Sequence, residues 1–356
     1  MINRSAGSRL FAGLAVAALA ATIAGPVAAQ SPSAPAVMGS YKIGISNNAA
    51  GNGWREEMIC AAKAQALASG EVSGITVIHR NTDAAGQLED IRTLISDGVN
   101  AIVVNPADLD ALNPALQEAA DKGIVVVAVD APVSLPAAYN LSNDQENYAY
   151  LGAKWLFEQL GGKGNVVYMR GIPGHPADTA RDVGFKKALA EYPGITVVKE
   201  TATNWDPTIG QTQITDIVNS GTQFDGIWTS GIDSWIVDAL KTAGAPLVPI
   251  VGADNSGFIN QLINEPGLVG AAVTNPGSVG GAGVALAVKI LDGQAPAEHT
   301  VTFTPQIWDN STDAGKAALA AAADPSLDPG WPVGITVPDW TTYTKDQLLA
   351  CKQPGE

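Results

Sequence analysis

Tyr41-Lys-Ile-Gly-Ile-Ser-Asn47 begins a long pattern in which strand-like and helix-like segments alternate. It is followed by the loop Asn48-Ala-Ala-Gly-Asn-Gly53 and the pair Trp54-Arg55. The first segment is apolar enough to be a buried strand, the loop is polar, and Trp54 begins a predicted helix that runs to Ala68. Open α/β sheets bind ligands at the carboxyl ends of parallel strands, where this loop lies. A flat indole beside a guanidinium fork suits a small polyhydroxylated ligand there.

Strand-like and helix-like segments alternate along the rest of the chain. Continuous apolar runs such as 124–129 indicate strands that are covered on both faces, as in parallel sheets. The pattern restarts after Asn143, which predicts two similar α/β lobes rather than one very wide sheet. The predicted strands are 41–46, 75–80, 101–105, 123–130, 165–170, 195–199, 224–230, 247–253, 268–274 and 301–306. The predicted helices are 54–68, 85–97, 109–121, 145–160, 178–191, 207–220, 233–242, 277–291 and 313–323, with a short one ending near 262.

The amino-terminal residues 1–29 have the pattern of a secretory signal peptide. Arg4 and Arg9 precede an apolar run, and Val27-Ala-Ala29 has the small residues of a cleavage site. The run is short for a membrane anchor, and no cysteine follows the site to carry a lipid. We therefore expect a periplasmic protein without a lipid anchor, whose residues 30–39 form a Pro/Ala/Ser linker.

The chain is acidic, with 35 Asp and Glu against 20 Lys and Arg and a formal net charge of −15. Loss of a signal peptide that contains two arginines makes the charge more negative still. This charge disfavours nucleic acid and anionic membrane surfaces as partners.

Two cysteines, Cys60 and Cys351, are the only ones in the sequence. An even pair in an oxidising compartment predicts a disulfide, which would tie the carboxyl-terminal tail to the first helix. Two buried free thiols are the alternative. The tail before Cys351, residues 324–343, is rich in Pro, Gly and Trp, and we expect it to be ordered but irregular.

Polar side chains follow nearly every predicted strand, and both halves of the chain contribute them. If the two edges face each other, carboxylates and arginines can bind hydroxyl groups while indoles stack on C–H faces. The expected ligand-binding residues are Asn52, Trp54, Arg55, Asp130, Asp178, Arg181, Trp205, Asp233, Asp254 and Thr274. Helix capping is the alternative for the acids at 108, 206 and 233, and core packing is the alternative for each indole.

An enzyme is a competing hypothesis. Asp130 and Asp254 could act as a glycosidase pair, but the histidines His79, His175 and His299 are scattered, and no nucleophile elbow, zinc motif or phosphate loop occurs. We expect no enzymatic activity, no cofactor and no metal.

Several short motifs, taken in order, resemble one known family. These are Asn52-Gly-Trp-Arg55, Asn105-Pro-Ala-Asp108, Val129-Asp130, Arg181-Asp-Val-Gly-Phe185, Ile250-Val-Gly-Ala-Asp254 and Thr274-Asn-Pro276. Over residues 41–303 the chain resembles the periplasmic monosaccharide-binding proteins of ABC importers, the ribose/galactose type. The family usually has Arg after the Asp130 position, where this chain has Ala131, and Arg55 is expected to compensate.

The resemblance implies an α/β fold with two Rossmann-like lobes of parallel strands, joined by a three-strand hinge, as in type I periplasmic binding proteins. Lobe I would comprise 40–142 and 276–303, lobe II 143–275 and part of the tail, and residues 304–356 a carboxyl-terminal extension. A monomer would capture a monosaccharide or polyol by hinge closure and deliver it to an ABC permease, and a chemoreceptor is a further candidate partner. Sugar repressors share this fold, but a signal peptide stands where their DNA-binding helices would be.

Overall fold

The computed structural model describes residues 39–356. The predicted signal peptide, 1–29, and the linker up to residue 38 lie outside the described residues. The strands are β1 (Tyr41–Asn47), β2 (Val72–His79), β3 (Ala101–Asn105), β4 (Val125–Asp130), β5 (Tyr139–Asn143), β6 (Lys163–Arg170), β7 (Gly194–Ala202), β8 (Gly226–Trp228), β9 (Ile250–Ala253), β10 (Gly270–Val273), β11 (Thr300–Phe303) and β12 (Ile307–Asp309).

Helices follow most of these strands, as the alternating pattern predicts. They are α1 (Gly53–Ser69), α2 (Ala84–Ser96), α3 (Asn113–Asp121), α4 (Gln145–Gln159), α5 (Pro176–Glu191), α6 (Pro207–Asn219), α7 (Asp233–Thr242), α8 (Ser256–Asn264), α9 (Val279–Leu291), α10 (Asp313–Ala322) and α11 (Lys345–Ala350). None of the helices in residues 39–356 combines the length and apolar character that crossing a bilayer requires.

The strands form two six-stranded sheets, with orders β11-β5-β4-β3-β1-β2 and β12-β10-β9-β8-β6-β7. Every pairing is parallel except that of β10 with β12. The predicted fold of two parallel-sheet lobes is therefore confirmed. We call the first sheet with its covering helices the first lobe, and the second sheet with its helices the second lobe.

The chain passes between the two sheets at three places. β5 lies in the first sheet and leads into α4 of the second lobe, β10 of the second sheet leads back into α9, and β11 of the first sheet leads into β12 of the second. These three passages form the hinge. The apolar pattern did not predict β5 or β12 as strands; the family resemblance implied crossings near 141–144, 274–276 and 302–305.

Both faces of each sheet are buried, which explains the continuous apolar strands. In the first lobe Ile43 and Val127 pack with α1 and α9, while Ile102 faces the cluster that contains α2 and α3. Close approach of α9 requires small residues, because a Cβ at Gly280 would lie 2.2 Å from the Met58 carbonyl oxygen. The second lobe has corresponding apolar clusters on the two faces of its sheet.

Several predicted boundaries differ from the structure: β2 begins at 72 rather than 75, β7 ends at 202 rather than 199, and β9 begins at 250 rather than 247. Helix α3 begins at Asn113 rather than 109, because the Asp108 carboxylate accepts hydrogen bonds from the N–H groups of Asp110 and Ala111 and folds the segment into a turn. Strand β8 covers only Gly226–Trp228. The capping alternative is correct for Asp206, which accepts from Thr208 N and Ile209 N at the start of α6.

The predicted disulfide between Cys60 and Cys351 is present, with the Cα atoms 4.5 Å apart. It fixes a tail that contacts both lobes. On the second lobe, Ser256 N donates to Trp331 O at 2.7 Å. On the first lobe, the Gln65 amide exchanges hydrogen bonds with Thr342 at 2.8 and 3.0 Å. The tail is thus a fourth link between the lobes, closed by a covalent bond on helix α1.

Candidate ligand-binding site

A small cavity lies where strand ends from both lobes meet, with about 40 Å³ of space for the centres of water-sized molecules. The lining residues are Asn52, Trp54, Arg55, Asp130, Arg181, Trp205, Ser230, Gly231, Ala253 and Asn275. The first six of these were expected as ligand-binding residues from the sequence, so the fold brings together side chains that are up to about 150 positions apart in the chain.

The two indoles reach the cavity from opposite lobes. Trp54 begins α1 behind the Asn52 cap, and its Nε1 donates to Asn275 O at 2.7 Å. Trp205 is only 8% exposed, and its Nε1 donates to Ser230 Oγ at 3.3 Å. Each ring therefore has its polar edge held by the protein. The faces remain the part that a bound molecule can use.

Arg55 is buried against both indoles. Its Cζ lies 5.4 Å from the centre of the Trp54 ring and 6.0 Å from that of Trp205. One guanidinium nitrogen, Nη1, donates to Asn47 Oδ1. Burial lowers the pKa of Arg55 to about 10, although the Asp130 carboxylate opposes this shift. The side chain is still charged at neutral pH, so a buried cation lies beside the cavity.

His175 faces Arg55 from the second lobe and caps helix α5. Burial, together with Arg55 and Arg181 nearby, holds the pKa of His175 well below its usual value, so the ring is neutral. A neutral ring has one acceptor nitrogen. Two N–H donors face it, Ala177 N at 3.2 Å from Nδ1 and Arg55 Nη2 at 3.3 Å from Nε2. One of these donors consequently lacks an acceptor on the ring.

Arg181 shows the same surplus of donors. Its Cζ lies 4.2 Å from the centre of the Tyr148 ring, and its Nε donates to Gln145 Oε1 at 2.8 Å. Asn275 Oδ1 accepts from Arg181 Nη2 at 3.1 Å in the amide orientation that suits both groups. Arg181 Nη1 has no hydrogen-bond acceptor among the described residues and can donate to an oxygen of a bound molecule.

Asp130 supplies the carboxylate of the cavity. Its Oδ1 accepts from Gln145 Nε2 at 2.9 Å, while Oδ2 has only a long contact of 3.4 Å with Asn105 Nδ2. Asp130 has a φ of +66°, and Asn204 and Trp205 have φ of +54° and +55°. Such backbone is costly for residues other than glycine and is concentrated at functional sites. The strain therefore falls on the two chain segments that deliver the carboxylate and one indole.

Four of the expected residues lie outside the cavity lining. Asp178 uses Oδ2 to bind Arg170 at 2.7 Å and Oδ1 to accept from Gly171 N at 2.8 Å. Asp233 accepts from Ala253 N at 2.9 Å and from Gly231 N at 3.2 Å. Both carboxylates thus accept hydrogen bonds from backbone N–H groups at strand ends.

The other two residues outside the lining are near the hinge. Thr274 Oγ1 accepts from Gln306 N at 2.9 Å. Asp254 accepts from Asn275 N with Oδ1, at 2.9 Å, while its Oδ2 is buried and has no hydrogen-bond partner among the described residues. Burial raises the pKa of Asp254 to about 6 and that of Asp233 to about 7. Asp130 is left as the one carboxylate that lines the cavity in residues 39–356.

Nothing in the sequence indicated Gln145, and Ser230, Asn275 and His175 were not included among the binding residues, although these three lie at or soon after the ends of predicted strands. Gln145 begins a helix after an unpredicted strand, so no local signal indicated its place in the site. In the described part of the chain, no group of three or more His, Cys, Asp or Glu side chains is arranged to hold a metal ion.

Comparison with known proteins identifies the family of this chain. The family described as periplasmic binding protein domain matches residues 43–295, so the chain belongs to that family of binding proteins. A xylitol-binding protein of Mycolicibacterium smegmatis is 30% identical over 237 residues, which cover 65% of this chain and 68% of that protein. A D-ribose/D-allose-binding protein of Pseudomonas aeruginosa is 29% identical over 233 residues, with coverage of 62% and 72%.

A solved structure gives the same result for the fold. The ABC transporter solute binding protein of Thermobispora bispora superposes with a TM-score of 0.74 at 26% sequence identity. The match covers 87% of this chain and 94% of that one, so it includes both lobes.

Proposed function

We propose that this protein captures a monosaccharide or polyol between its two lobes and delivers it to an ABC permease. The predicted signal peptide would place it in the periplasm, without a lipid anchor. Asn52, Trp54, Arg55, Asp130, Arg181 and Trp205 are the proposed ligand contacts. The sugars and polyol in the names of the two relatives support this class of ligand.

The surplus of hydrogen-bond donors in the cavity is the observation that carries the proposal. Arg55 Nη2 and Ala177 N both face the neutral His175 ring, which has one acceptor, and Arg181 Nη1 has no acceptor among the described residues. Buried donors that lack acceptors cost free energy, on the order of 1–3 kcal/mol each. A polyhydroxylated molecule supplies oxygens to both arginines, donates a hydroxyl proton to Asp130, and lays its C–H face on an indole.

Closure follows from the division of these contacts between the lobes. Trp54, Arg55 and Asp130 belong to the first lobe, whereas Arg181 and Trp205 belong to the second. A ligand that contacts both groups binds the closed form better than the open form and so shifts the population toward closure. The hinge would lie in the three passages between the sheets, with lobe I at 40–142 and 276–303 and lobe II at 143–275 and part of the tail.

Capture rather than glycoside hydrolysis is favoured by the acids of the cavity. Glycosidases use two carboxyl groups on opposite sides of the scissile bond. Here Asp130 lines the cavity, while Asp254 lies outside the lining and binds Asn275 N. One carboxylate with two arginines suits binding without turnover.

The proposal is tested by calorimetric titration of the purified protein with pentoses, hexoses, polyols and sugar acids. We expect at least one neutral sugar or polyol to bind with a Kd in the micromolar range or tighter. Trp205→Ala and Arg181→Ala should weaken it at least 10-fold, whereas Trp155→Ala, in a helix away from the cavity, should not. Failure of every neutral member to bind, or equal binding by all variants, contradicts the proposal. Ligand-dependent uptake by cells that contain the permease tests the delivery step.

A further inference from the structure

We propose that Gln145 is a positioning residue of this site: its amide lies between Asp130 and Arg181 and keeps the two charged groups from pairing directly. This inference rests on the proposed function. It concerns how the acid and the arginine remain available to ligand hydroxyls in a buried cavity. Gln145 does not line the cavity, so it would act through its two neighbours.

The geometry of the amide is specific. Gln145 is 4% exposed, its Oε1 accepts from Arg181 Nε at 2.8 Å, and its Nε2 donates to Asp130 Oδ1 at 2.9 Å. Each end of the amide thus meets a group of matching polarity. The reverse orientation would set an NH₂ group against a guanidinium and a carbonyl oxygen against a carboxylate, so the charges on both sides fix the orientation.

Without this spacer, a carboxylate and a guanidinium would share one buried space. Such groups pair through two parallel hydrogen bonds, which use both carboxylate oxygens. A neutral ligand would then have to replace a strong ion pair. With Gln145 in place, Asp130 keeps Oδ2 and Arg181 keeps Nη1 for a bound molecule, because the amide binds only Oδ1 of the acid and Nε of the arginine.

Gln145 also joins the two lobes at the hinge. It is the first residue of α4, directly after the passage from β5, and the neighbouring Asp144 caps the helix. Asp130 lies at the end of β4 in the first lobe, and Arg181 lies on α5 in the second. Since the start of a helix sets the position of Gln145, the amide can hold the acid of one lobe at a defined distance from the arginine of the other.

If Gln145 has this role, replacing it by an ionisable residue should make the Kd of the ligand depend on pH. The titratable and charged groups around Asp130, Arg181 and the amide are these two residues, Arg55 on α1, Tyr148 on α4, His175 at the N-cap of α5, Asp233 at the start of α7 and Asp254 after β9. Asp233 and Asp254 titrate near neutral pH in the unmodified protein. Each variant is therefore compared with the wild type at the same pH, and only the ratio of the Kd values is interpreted.

Two variants test the inference by calorimetry between pH 5 and pH 8, with the best ligand of the panel. Gln145→Met removes both hydrogen bonds at similar volume and should weaken binding about 10- to 100-fold at every pH. Gln145→Glu should weaken it at least as much at pH 8, because a carboxylate cannot donate to Asp130. At pH 5 the protonated carboxyl has the shape and the donor of the amide, so the Kd should return to within about threefold of wild type. Gln117→Glu, at an exposed position of α3, is the matched control.

Binding by Gln145→Met within twofold of wild type, or a pH-independent loss in Gln145→Glu, overturns the inference. A ligand-free measurement separates this outcome from failure of the proposed function. The melting temperature of Gln145→Glu, relative to wild type, should fall from pH 5 to pH 8 as the new carboxylate ionises beside Asp130. A flat difference overturns the arrangement even if no sugar binds, whereas a falling difference without any sugar binding contradicts only the proposed function.

Discussion

The indole of Trp205 lies so close to Gly171 that a methyl group on Gly171 would come within 2.1 Å of the ring. Gly171 follows β6 directly, and its N–H donates to Asp178 at 2.8 Å, so its backbone is held in place. The absence of a side chain at this position is what allows the indole to reach the cavity.

We therefore predict that Gly171→Ala displaces Trp205 and weakens ligand binding at least 10-fold. Overpacking of this kind also destabilises a protein, typically by about 1–3 kcal/mol. Calorimetry and thermal melting measure the two effects. Gly74→Ala is the matched control, because a Cβ there meets nothing within 4 Å. Unchanged affinity in Gly171→Ala would show that the position of the indole does not matter for binding.

Arg55→Lys tests the guanidinium separately from its charge. Lysine keeps the positive charge but loses the planar fork that contacts Asn47 and the cavity, and it hydrates more strongly. We expect the Kd to rise about 10- to 100-fold, which corresponds to roughly 1.4–2.7 kcal/mol. Arg92→Lys, at an arginine whose side chain is 46% exposed, should leave the Kd unchanged. Equal affinity for the two variants would mean that charge alone is required.

Because Asp254 is a buried acid, we predict that its contribution to the free energy of unfolding falls as the pH rises. Burial raises its pKa from 3.8 to about 6, so the folded state binds more protons than the unfolded state between these values. The stabilising contribution of the protonated group is complete below pH 3.8 and is lost as pH rises through about 6. The shift corresponds to a change on the order of 2–3 kcal/mol.

Asp254→Asn cannot ionise and should not lose this contribution. The difference in unfolding free energy, variant minus wild type, is expected to rise by about 2–3 kcal/mol between pH 4 and pH 8. Urea denaturation without ligand gives the measurement. The exposed Asp216→Asn is the control, and its difference should stay constant. A constant difference for Asp254→Asn would show that the carboxyl group titrates alike in both states.

The Cys60–Cys351 disulfide should stabilise the whole fold. It closes a chain segment with a sequence separation of 291, and native disulfides typically contribute about 2–4 kcal/mol. The double variant Cys60→Ser, Cys351→Ser should lose about this much unfolding free energy. Reducing agent should lower the melting temperature of the wild type and leave that of the double variant unchanged. Equal responses of the two proteins would contradict the prediction.

Local patterns predicted most of the helices and strands because burial on both faces leaves a continuous apolar run in the sequence. Strand β5 was missed for a corresponding reason. Asn140, Ser142 and Asn143 interrupt β5 with polar side chains, and their partners lie far away in the chain. Asn143, for example, donates to Thr274 O at 2.9 Å.

The sequence by itself determined the alternation of strands and helices, the two similar lobes, the paired cysteines and the presence of indoles, acids and arginines at strand ends. Only the tertiary structure decided which acids face the cavity. Asp130 and Asp233 both lie at or soon after the end of a predicted strand. In the structure Asp130 lines the cavity, whereas Asp233 accepts hydrogen bonds from backbone N–H groups. The physical reason is that the direction of a side chain at a strand end depends on loop backbone and on partners from distant segments, which local patterns do not contain.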